Sequence, residues 1–363
     1  MPASIGGATR MTRTSLHRWL ELSAVTMLVV AGCAKGSGAT AAPATAAPSE
    51  PPAASTPAET AATSEAPASA EAPAAATCKG SADKGTVQLM INQWVGAEAN
   101  VAVAACLLAQ MGYDVKTNSL AEEVAWQGFE TGEVDVILEN WGHPELEKQY
   151  ITDTKLATDA GPMGVQGIIG WYIPGWMADE YPDIVADYKN LNNHVDLFKT
   201  SESGDKGQFL GADPTFVQYD EALIANLGLN FKVVFSGSEA ASITAFQAAD
   251  KNKTALIGYF YDPQWLQSEI KLVKVNLPPY TAGCDADLKK VACDYPAYTL
   301  NKIVRTKWLD EGGDAQTFIK NFKWTNADQN SVADMITNGG MSSEEAAKKW
   351  IDANAATWQA WVP

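Results

Sequence analysis

Apolar and polar residues between positions 78 and 363 form short blocks that predict strands and helices in alternation. Runs of β-branched and apolar residues are typical of buried parallel strands, and amphipathic stretches that end in glycine are typical of helices. The predicted strands are 86–92, 114–117, 134–138, 208–211, 231–235, 255–261 and 298–305. The predicted helices are 97–111, 121–131, 145–150, 215–227, 238–249 and three near the end of the chain, the last being 343–361 with Ser343 as its first residue.

This order implies an α/β fold in which a parallel sheet carries helices on both faces. A glycine-rich and then apolar segment at 161–170 is interpreted as a crossing between two lobes, and 271–276 as the return crossing. We therefore expect residues 78–166 and 275–363 to form lobe 1 and residues 167–274 to form lobe 2. Two lobes joined by two crossings leave a cleft in which hinge closure can enclose a small ligand.

Aromatic residues follow several of the predicted strands, among them Trp94, Trp141, Phe216, Tyr261 and Trp265. Ligands of open α/β sheets lie beyond the carboxyl ends of the strands, so these rings predict one aromatic pocket. Several ring faces suit a quaternary ammonium, which has no N–H to donate and is bound through the ring quadrupoles. The alternative interpretation is that the rings only fill the core.

The first 77 residues differ in composition from the rest. Three arginines precede an apolar run at 22–30, and Cys33 follows Ala-Gly. Residues 1–32 are therefore predicted to be a secretory signal. Its end resembles the lipobox of bacterial lipoproteins, which implies lipidation of Cys33. Residues 34–77 are almost only Ala, Pro, Thr, Ser, Glu and Gly, a composition that predicts a disordered tether, so 33–77 is expected to link the lipid to the folded body.

Charge and cysteine content agree with export. Residues 78–363 contain 22 Lys and Arg against 38 Asp and Glu, a formal charge of −16, which makes nucleic acid a poor partner. Four cysteines remain after Cys33, and an even count outside the cytoplasm suggests two disulfides. Of the three possible pairings, the one that joins near neighbours is Cys284–Cys293 with Cys78–Cys106. Cysteine spacing and the two histidines of this part, His143 and His194, do not match a zinc site, so no metal is expected.

Catalytic motifs are missing from the sequence. It has no Gly-x-Ser-x-Gly elbow and too few histidines for a Ser/His/Asp or Cys/His arrangement, so we expect neither an enzyme nor a cofactor. It also lacks the Gly-x-x-x-x-Gly-Lys-Ser/Thr phosphate loop of nucleotide-binding proteins. The competing hypothesis from another class is a secreted enzyme or a carbohydrate-binding module that uses aromatic platforms.

Six stretches follow one another in a specific order and spacing: WVGAE at 94–98, LAQMGYDV at 108–115, NWGHP at 140–144, GADPTF at 211–216, YFYDPQW at 259–265 and DYPAY at 294–298. Together they resemble the glycine betaine/proline betaine substrate-binding proteins of ABC importers, over about residues 86–362. The resemblance implies a two-lobed, periplasmic-binding-protein-like fold of type II. It also implies a monomer held outside the cytoplasm, on the outer face of the bacterial cell membrane, by its lipid alone.

The resemblance assigns roles to particular residues. A cage of rings would hold the cationic head of the ligand, and backbone N–H groups would hold its carboxylate at a helix N-terminus. The cage residues would be Trp94, Trp141, Phe216 and Tyr261, with Trp265 nearby; the carboxylate would meet Val217 and Gln218, and His143 lies close to a position where some members use histidine. The partner would be an ABC permease with a separate ATPase subunit. Phe216 and Tyr261 replace tryptophans of the family, and Pro214-Thr215 replaces Pro-Gly, which leaves choline, carnitine and ectoine as alternative ligands.

Overall fold

The computed structural model describes residues 78–363. The predicted signal at 1–32, the lipidated Cys33 and the tether to residue 77 therefore lie outside the described residues. Nine strands are present: β1 Thr86–Ile91, β2 Asp114–Ser119, β3 Val136–Asn140, β4 Ala157–Pro174, β5 Gly207–Gly211, β6 Phe231–Phe235, β7 Gly258–Asp262, β8 Leu272–Lys274 and β9 Ala297–Arg305.

Thirteen α-helices connect and cover these strands within the same residues. They are α1 Val95–Gln110, α2 Glu122–Thr131, α3 Pro144–Glu147, α4 Gly175–Glu180, α5 Pro182–Ala186, α6 Asp220–Asn226, α7 Glu239–Asn252, α8 Leu266–Glu269, α9 Thr306–Glu311, α10 Asp314–Asn321, α11 Asn326–Thr337, α12 Ser343–Ala353 and α13 Ala355–Trp358. A π-helical turn, Lys148–Asp153, follows α3, and two 3₁₀ turns, Tyr188–Asn193 and Val195–Phe198, precede β5.

The strands form one mixed sheet in the order β2-β1-β3-β9-β4-β7-β5-β6, with β8 paired to β4. The pairs of β1 with β2 and β3, and of β5 with β6 and β7, are parallel, as predicted. The two central strands β9 and β4 run antiparallel to their neighbours, so the sheet is not purely parallel. We call β1, β2, β3, α1 and α2 the first half of the sheet, and β5, β6, β7, α6 and α7 the second half.

The glycine-rich segment predicted as a crossing belongs to the 18-residue strand β4. The early part of β4 pairs with β9, and its later part pairs with β7 and β8, so one strand passes from the first half to the second. The register with β9 shifts twice, and Gly161 and Gly164 between these shifts have φ values of 89° and 97°. Glycine accepts such angles without steric cost, which explains why a strand here is rich in glycine.

The core lies on both faces of the sheet because the strands of its first half are buried on both sides. Leu89 and Val136 belong to the large cluster that also contains α1, while the alternating residues Met90 and Ile137 belong to a smaller cluster with Trp126. Alternation across a strand sends neighbouring side chains to opposite faces. The continuous apolar runs of the sequence therefore correspond to strands covered twice.

The end of the chain differs most from the predicted helices. Five helices, not three, follow β9. Helix α12 is capped by Ser342 rather than Ser343, since the Ser342 and Glu345 side chains each accept a hydrogen bond from the other's backbone N–H, at 3.2 and 2.9 Å. It ends at Ala353 because Asn354 leaves the helical conformation and donates its side-chain amide to Trp350 O at 2.8 Å.

Both disulfides of the near-neighbour pairing are present, Cys78–Cys106 and Cys284–Cys293. The first ties the start of the described chain to α1, and the second closes a loop between β8 and β9. No helix within residues 78–363 has both the length and the apolar character that crossing a membrane requires.

Candidate ligand-binding site

A cavity with about 260 Å³ of space free of protein atoms lies where the two halves of the sheet meet. Residues after β1, β3 and β5 reach it from the carboxyl ends of those strands, and β4 and β7 contribute residues along their length. Eight residues line it: Trp94, Glu122, Trp141, Ile169, Phe216, Val217, Tyr259 and Tyr261. Aromatic rings thus make up five of the eight lining side chains.

The rings from the first half are held by one buried carboxylate. Trp94 precedes α1 and Trp141 directly follows β3, and both indole N–H groups donate to Oε1 of Glu139 at 2.8 Å. The other oxygen, Oε2, accepts from the side-chain amides of Asn100 and Gln329, the latter at 3.3 Å. Glu139 therefore fixes the orientation of two lining rings at once.

The rings from the second half belong to alternating positions of β7. Tyr259 and Tyr261 are two residues apart and therefore share a face of the strand. The hydroxyl of Tyr259 donates to Val217 O at 3.2 Å, and that of Tyr261 donates to Oε1 of Glu239. Both phenol groups are satisfied away from the cavity, so they present ring surface to its interior.

Each ring contact joins one half to the other. The centroids of Trp94 and Phe216 are 5.4 Å apart with planes at 81°, and those of Trp141 and Tyr261 are 5.5 Å apart with planes at 78°. Edge-to-face pairs of this kind are favourable for the ring quadrupoles. The four rings are only 5 to 9 % exposed, so the cavity is closed off from bulk water on these sides.

A glycine gives Trp141 its place against β4. A Cβ on Gly167 would lie 2.4 Å from Cζ3 of the Trp141 ring, much closer than real carbon atoms approach. The ring therefore rests directly on the backbone of β4. Tyr298 packs on its other side with a centroid distance of 5.7 Å.

A carboxylate, Glu122, lies among the lining residues. Its Oε2 is 2.9 Å from Nε2 of His143, an ion-pair contact without hydrogen-bond alignment. Burial disfavours the charged form of His143, but Glu122, Glu147 and Glu123 outweigh it, so the pKa of His143 is raised. The histidine thus favours its cationic form and stabilises the negative charge of Glu122.

Two further buried carboxylates stand behind the rings. Burial raises the pKa of Glu139 to about 7, although its hydrogen bonds from Trp141 and Trp94 lower it. Burial likewise raises the pKa of Glu239, against the hydrogen bonds from Tyr261, Val95 N and Gln264. Together with Glu122 these groups give the cavity a negative environment, which suits a cationic ligand.

Five predicted site residues line the cavity: Trp94, Trp141, Phe216, Val217 and Tyr261. His143 lies one layer behind, against Glu122. Gln218 and Trp265 lie elsewhere, since the Gln218 amide donates to Asp213 O at 3.0 Å and Trp265 is 1 % exposed in the core. The helix predicted from 215 begins only at Asp220, because Asp213 holds residues 213–218 in a turn through Thr215 and Gln218. Val217 and Gln218 therefore precede the helix rather than start it.

Sequence reasoning missed three lining residues: Glu122, Ile169 and Tyr259. The period of two along a strand pairs Tyr259 with Tyr261, so that residue could have been found. Ile169 is opposite Tyr261 in the antiparallel register of β4 and β7. That register is a tertiary feature, and neither Ile169 nor Glu122 has a local signal in the sequence.

Residues 85–353 match the family described as the substrate binding domain of the ABC-type glycine betaine transport system. The trimethylamine N-oxide-binding protein of Pelagibacter ubique is 25% identical over 287 residues, which cover 76% of this chain and 90% of that protein. The glycine betaine/carnitine transport binding protein of Listeria monocytogenes is 28% identical over 127 residues, which cover 35% of this chain and 38% of that protein.

Two solved structures have similar folds. Lactococcal OpuAC in its closed conformation with glycine betaine has a TM-score of 0.61 at 24% identity and covers 77% of this chain and 100% of its own. An ABC-transporter choline binding protein with bound choline has a TM-score of 0.62 at 19% identity and covers 76% and 91%. At these identities the likeness shows the fold, and the predicted two-lobed α/β fold is confirmed. The lobe boundaries at 166/167 and 274/275 stay a prediction.

The matched family consists of substrate-binding proteins of ABC transporters and not of enzymes, so the prediction that this protein is not an enzyme is confirmed. Its members bind small quaternary ammonium solutes outside the cytoplasm and work with an ABC permease. The match spans most of the sequence and includes every residue that lines the cavity. This chain belongs to the family of substrate-binding proteins of ABC-type glycine betaine transport systems.

Proposed function

We propose that this protein captures a compact trimethylammonium solute, with glycine betaine and proline betaine as the expected ligands, and delivers it to an ABC permease driven by a separate ATPase subunit. The observation that carries the proposal is the aromatic cavity, in which Trp94 meets Phe216 and Trp141 meets Tyr261 across the two halves of the sheet. A ligand held by all four rings contacts both lobes at once. Its binding therefore favours the closed arrangement of the cleft.

Cation–π attraction supplies the affinity in this proposal. Each ring face in contact with a desolvated cation contributes roughly 0.5–2 kcal/mol. The quaternary head needs no hydrogen bond, and the indole and phenol groups of the cage use theirs on Glu139, Glu239 and Val217 O instead. The site thus offers the head ring surface rather than donors. A free space of about 260 Å³ suits a compact solute.

Choline is the second candidate ligand, and Glu122 is the observation that favours it. A carboxylate among the lining residues accepts a hydrogen bond from a hydroxyl group but repels the carboxylate of a betaine. The trimethylamine N-oxide-binding relative supports a small trimethylammonium head without a betaine carboxylate. Carnitine and ectoine remain weaker alternatives, because both carry a carboxylate in addition to the cation.

We also place the folded body outside the cytoplasm, tethered by a lipid on Cys33 and acting as a monomer. The basic and apolar start of the sequence, the Ala-Gly-Cys33 stretch and the disulfide-bonded body support this arrangement. A single acyl chain binds membranes only marginally, so stable anchoring requires more than one.

Calorimetry on the purified protein tests the ligand. Glycine betaine, proline betaine, choline, carnitine, trimethylamine N-oxide and ectoine are titrated separately, and we expect saturable 1:1 binding of at least one trimethylammonium solute. Analysis of the recovered solute should show it unchanged. Failure of all six to bind would overturn the proposed function, while conversion of a bound solute to a product would favour the competing enzyme hypothesis.

A further inference from the structure

Glu139 is a fully buried acidic residue at the centre of the cage, 1 % exposed on β3. One of its oxygens accepts both indole N–H groups from Trp94 and Trp141, and the other accepts the two amides of Asn100 and Gln329. All four donors are neutral. Its carboxylate therefore has hydrogen bonds but no counter-ion.

The groups around Glu139 add negative charge rather than neutralise it. Glu122 approaches from α2 and Glu239 from α7, and the charges of both disfavour ionisation of Glu139. The one cationic group nearby, His143, is occupied by its contact with Glu122. Among residues 78–363, no lysine or arginine forms an ion pair with Glu139. A buried carboxylate without a counter-ion is costly, so its charge is stabilised by any cation that enters the cavity.

We propose that Glu139 is a positioning residue whose counter-ion is the ligand itself: it aims Trp94 and Trp141 into the cavity and takes the bound trimethylammonium as the cation it lacks. The charge acts through the two indoles, because an N–H that donates to a carboxylate makes its ring more electron-rich and the ring face more attractive to a cation. This inference rests on the proposed function and deepens it. Recognition of the cation thereby becomes coupled to the ionisation of Glu139.

Proton release is the direct consequence. Burial raises the pKa of Glu139 to about 7, so near neutral pH a fraction of the empty protein holds a proton there. A cation in the cage favours the ionised form, so binding expels that proton and affinity increases with pH through this range. His143, whose pKa is also raised, contributes a proton of the same sign, and Glu239 does so as well. A variant of Glu139 alone separates its share.

The test is isothermal titration of glycine betaine and of choline into the native protein at pH 6.5, in several buffers that differ in ionisation enthalpy. We expect net proton release by the native protein. Glu139→Gln should reduce that release and weaken binding of either probe about tenfold. It should weaken binding of the uncharged isostere 3,3-dimethylbutan-1-ol much less than that of choline, since the isostere has no charge for Glu139 to balance.

Asp220→Asn is the matched control. Asp220 is also fully buried and accepts hydrogen bonds from an indole and a phenol, those of Trp171 and Tyr295, both at 2.7 Å, but it does not line the cavity. Its loss should lower stability and leave proton release unchanged. His143→Gln should keep the part of the release that belongs to Glu139.

Two outcomes overturn the inference. If the native protein binds a probe without releasing protons, or if Glu139→Gln weakens choline and its isostere by the same factor, Glu139 is structural only, and this result does not depend on how well the variant folds because the first measurement uses the native protein. If the native protein binds neither probe and none of the other trimethylammonium solutes, the proposed function fails and the inference fails with it.

Discussion

At the scale of the residue, the cage depends on polar groups that stand behind its rings. Trp94, Trp141 and Tyr261 each have one hydrogen-bonding group, and each donates it to a buried carboxylate. A buried indole or phenol without a partner would cost free energy, and a partner on the cavity side would compete with the ligand. Glu139 and Glu239 remove both problems.

Trp141→Ala should weaken binding of glycine betaine by roughly 1–2 kcal/mol, about 5–30-fold, because it removes one cation–π contact and buried ring area. Trp141→Phe should lose less, since a flat ring face remains. Calorimetry measures the affinities, and thermal unfolding of the empty protein measures stability. If the ring only fills the core, both variants will lower stability while affinity changes no more than the loosened fold requires.

Trp126→Phe is the control for Trp141. Trp126 is completely buried in the smaller core cluster on the opposite face of the sheet and does not line the cavity. Its replacement should lower the melting temperature with little effect on affinity. A loss of affinity equal to that of Trp141→Phe would show that general loosening of the core explains both results.

Stability of the empty protein should fall as pH rises from about 4.5 to about 7. The folded Glu139 keeps its proton up to about pH 7, whereas in the unfolded chain it ionises near 4.5, so in this window the folded state binds more protons. Asp220, with a pKa raised by burial to about 6, adds an effect of the same sign. Urea unfolding at pH 5, 6, 7 and 8 should show a smaller slope for Glu139→Gln, and an unchanged slope would exclude Glu139 as a source.

At the scale of the element, helix α1 is capped from the other half of the sheet. Its N-cap residue Trp94 provides no side-chain hydrogen bond, and the N–H of Val95 instead donates to Oε2 of Glu239 at 2.8 Å. Glu239 is itself the first residue of α7 and holds Tyr261 through its other oxygen. A carboxylate at a helix N-terminus is favourable, so this contact stabilises the arrangement in which the two halves enclose the cavity.

Glu239→Gln should lower affinity for a trimethylammonium solute about fivefold, mainly through faster dissociation. An amide has one acceptor oxygen, so it cannot accept from both Val95 N–H and Tyr261. Stopped-flow measurement of the tryptophan fluorescence change gives the two rate constants. A slower association rate with unchanged dissociation would contradict a role in holding the closed state.

Glu345→Gln provides the control for Glu239. Glu345 also accepts from a backbone N–H at a helix start, that of Ser342 on α12, but it is remote from the cavity lining. We expect a loss of stability of about 1 kcal/mol or less and unchanged rates of binding. Changed dissociation in this variant would show that weakening any helix start has the same effect.

At the scale of the whole molecule, one sheet carries both lobes. β4 runs through its centre, and its Gly167 lies under Trp141, so the strand that connects the halves also forms part of the floor of the site. Closure of the cleft therefore changes the cage directly. A lobe movement needs no separate pathway to reach the ligand.

Cys33→Ser should release the protein from membranes, because a lipid on Cys33 would be its only anchor. Fractionation of cells that express the native protein and the variant, followed by mass spectrometry of the mature N-terminus, tests this. Ala-to-Ser replacement at position 34 is the control and should keep the protein in the membrane fraction. Retention of the Cys33→Ser protein in membranes, with a mature N-terminus elsewhere, would refute the lipoprotein hypothesis.

The sequence by itself determined the alternation of elements and the rings that end the strands, because the burial of a strand or helix face is recorded locally in the spacing of apolar residues. It indicated Trp94, Trp141, Phe216 and Tyr261 in this way, and the shared period made Tyr259 reachable. Only the tertiary structure decided that β4 is one long strand, that Ile169 faces Tyr261, and that Glu122, Glu139 and Glu239 surround the cage. These three carboxylates come from α2, β3 and α7, far apart in the chain, and a charged residue has the same local pattern whether it is solvated or buried. Their environment, and with it their pKa values, exists only once the two halves of the sheet have met.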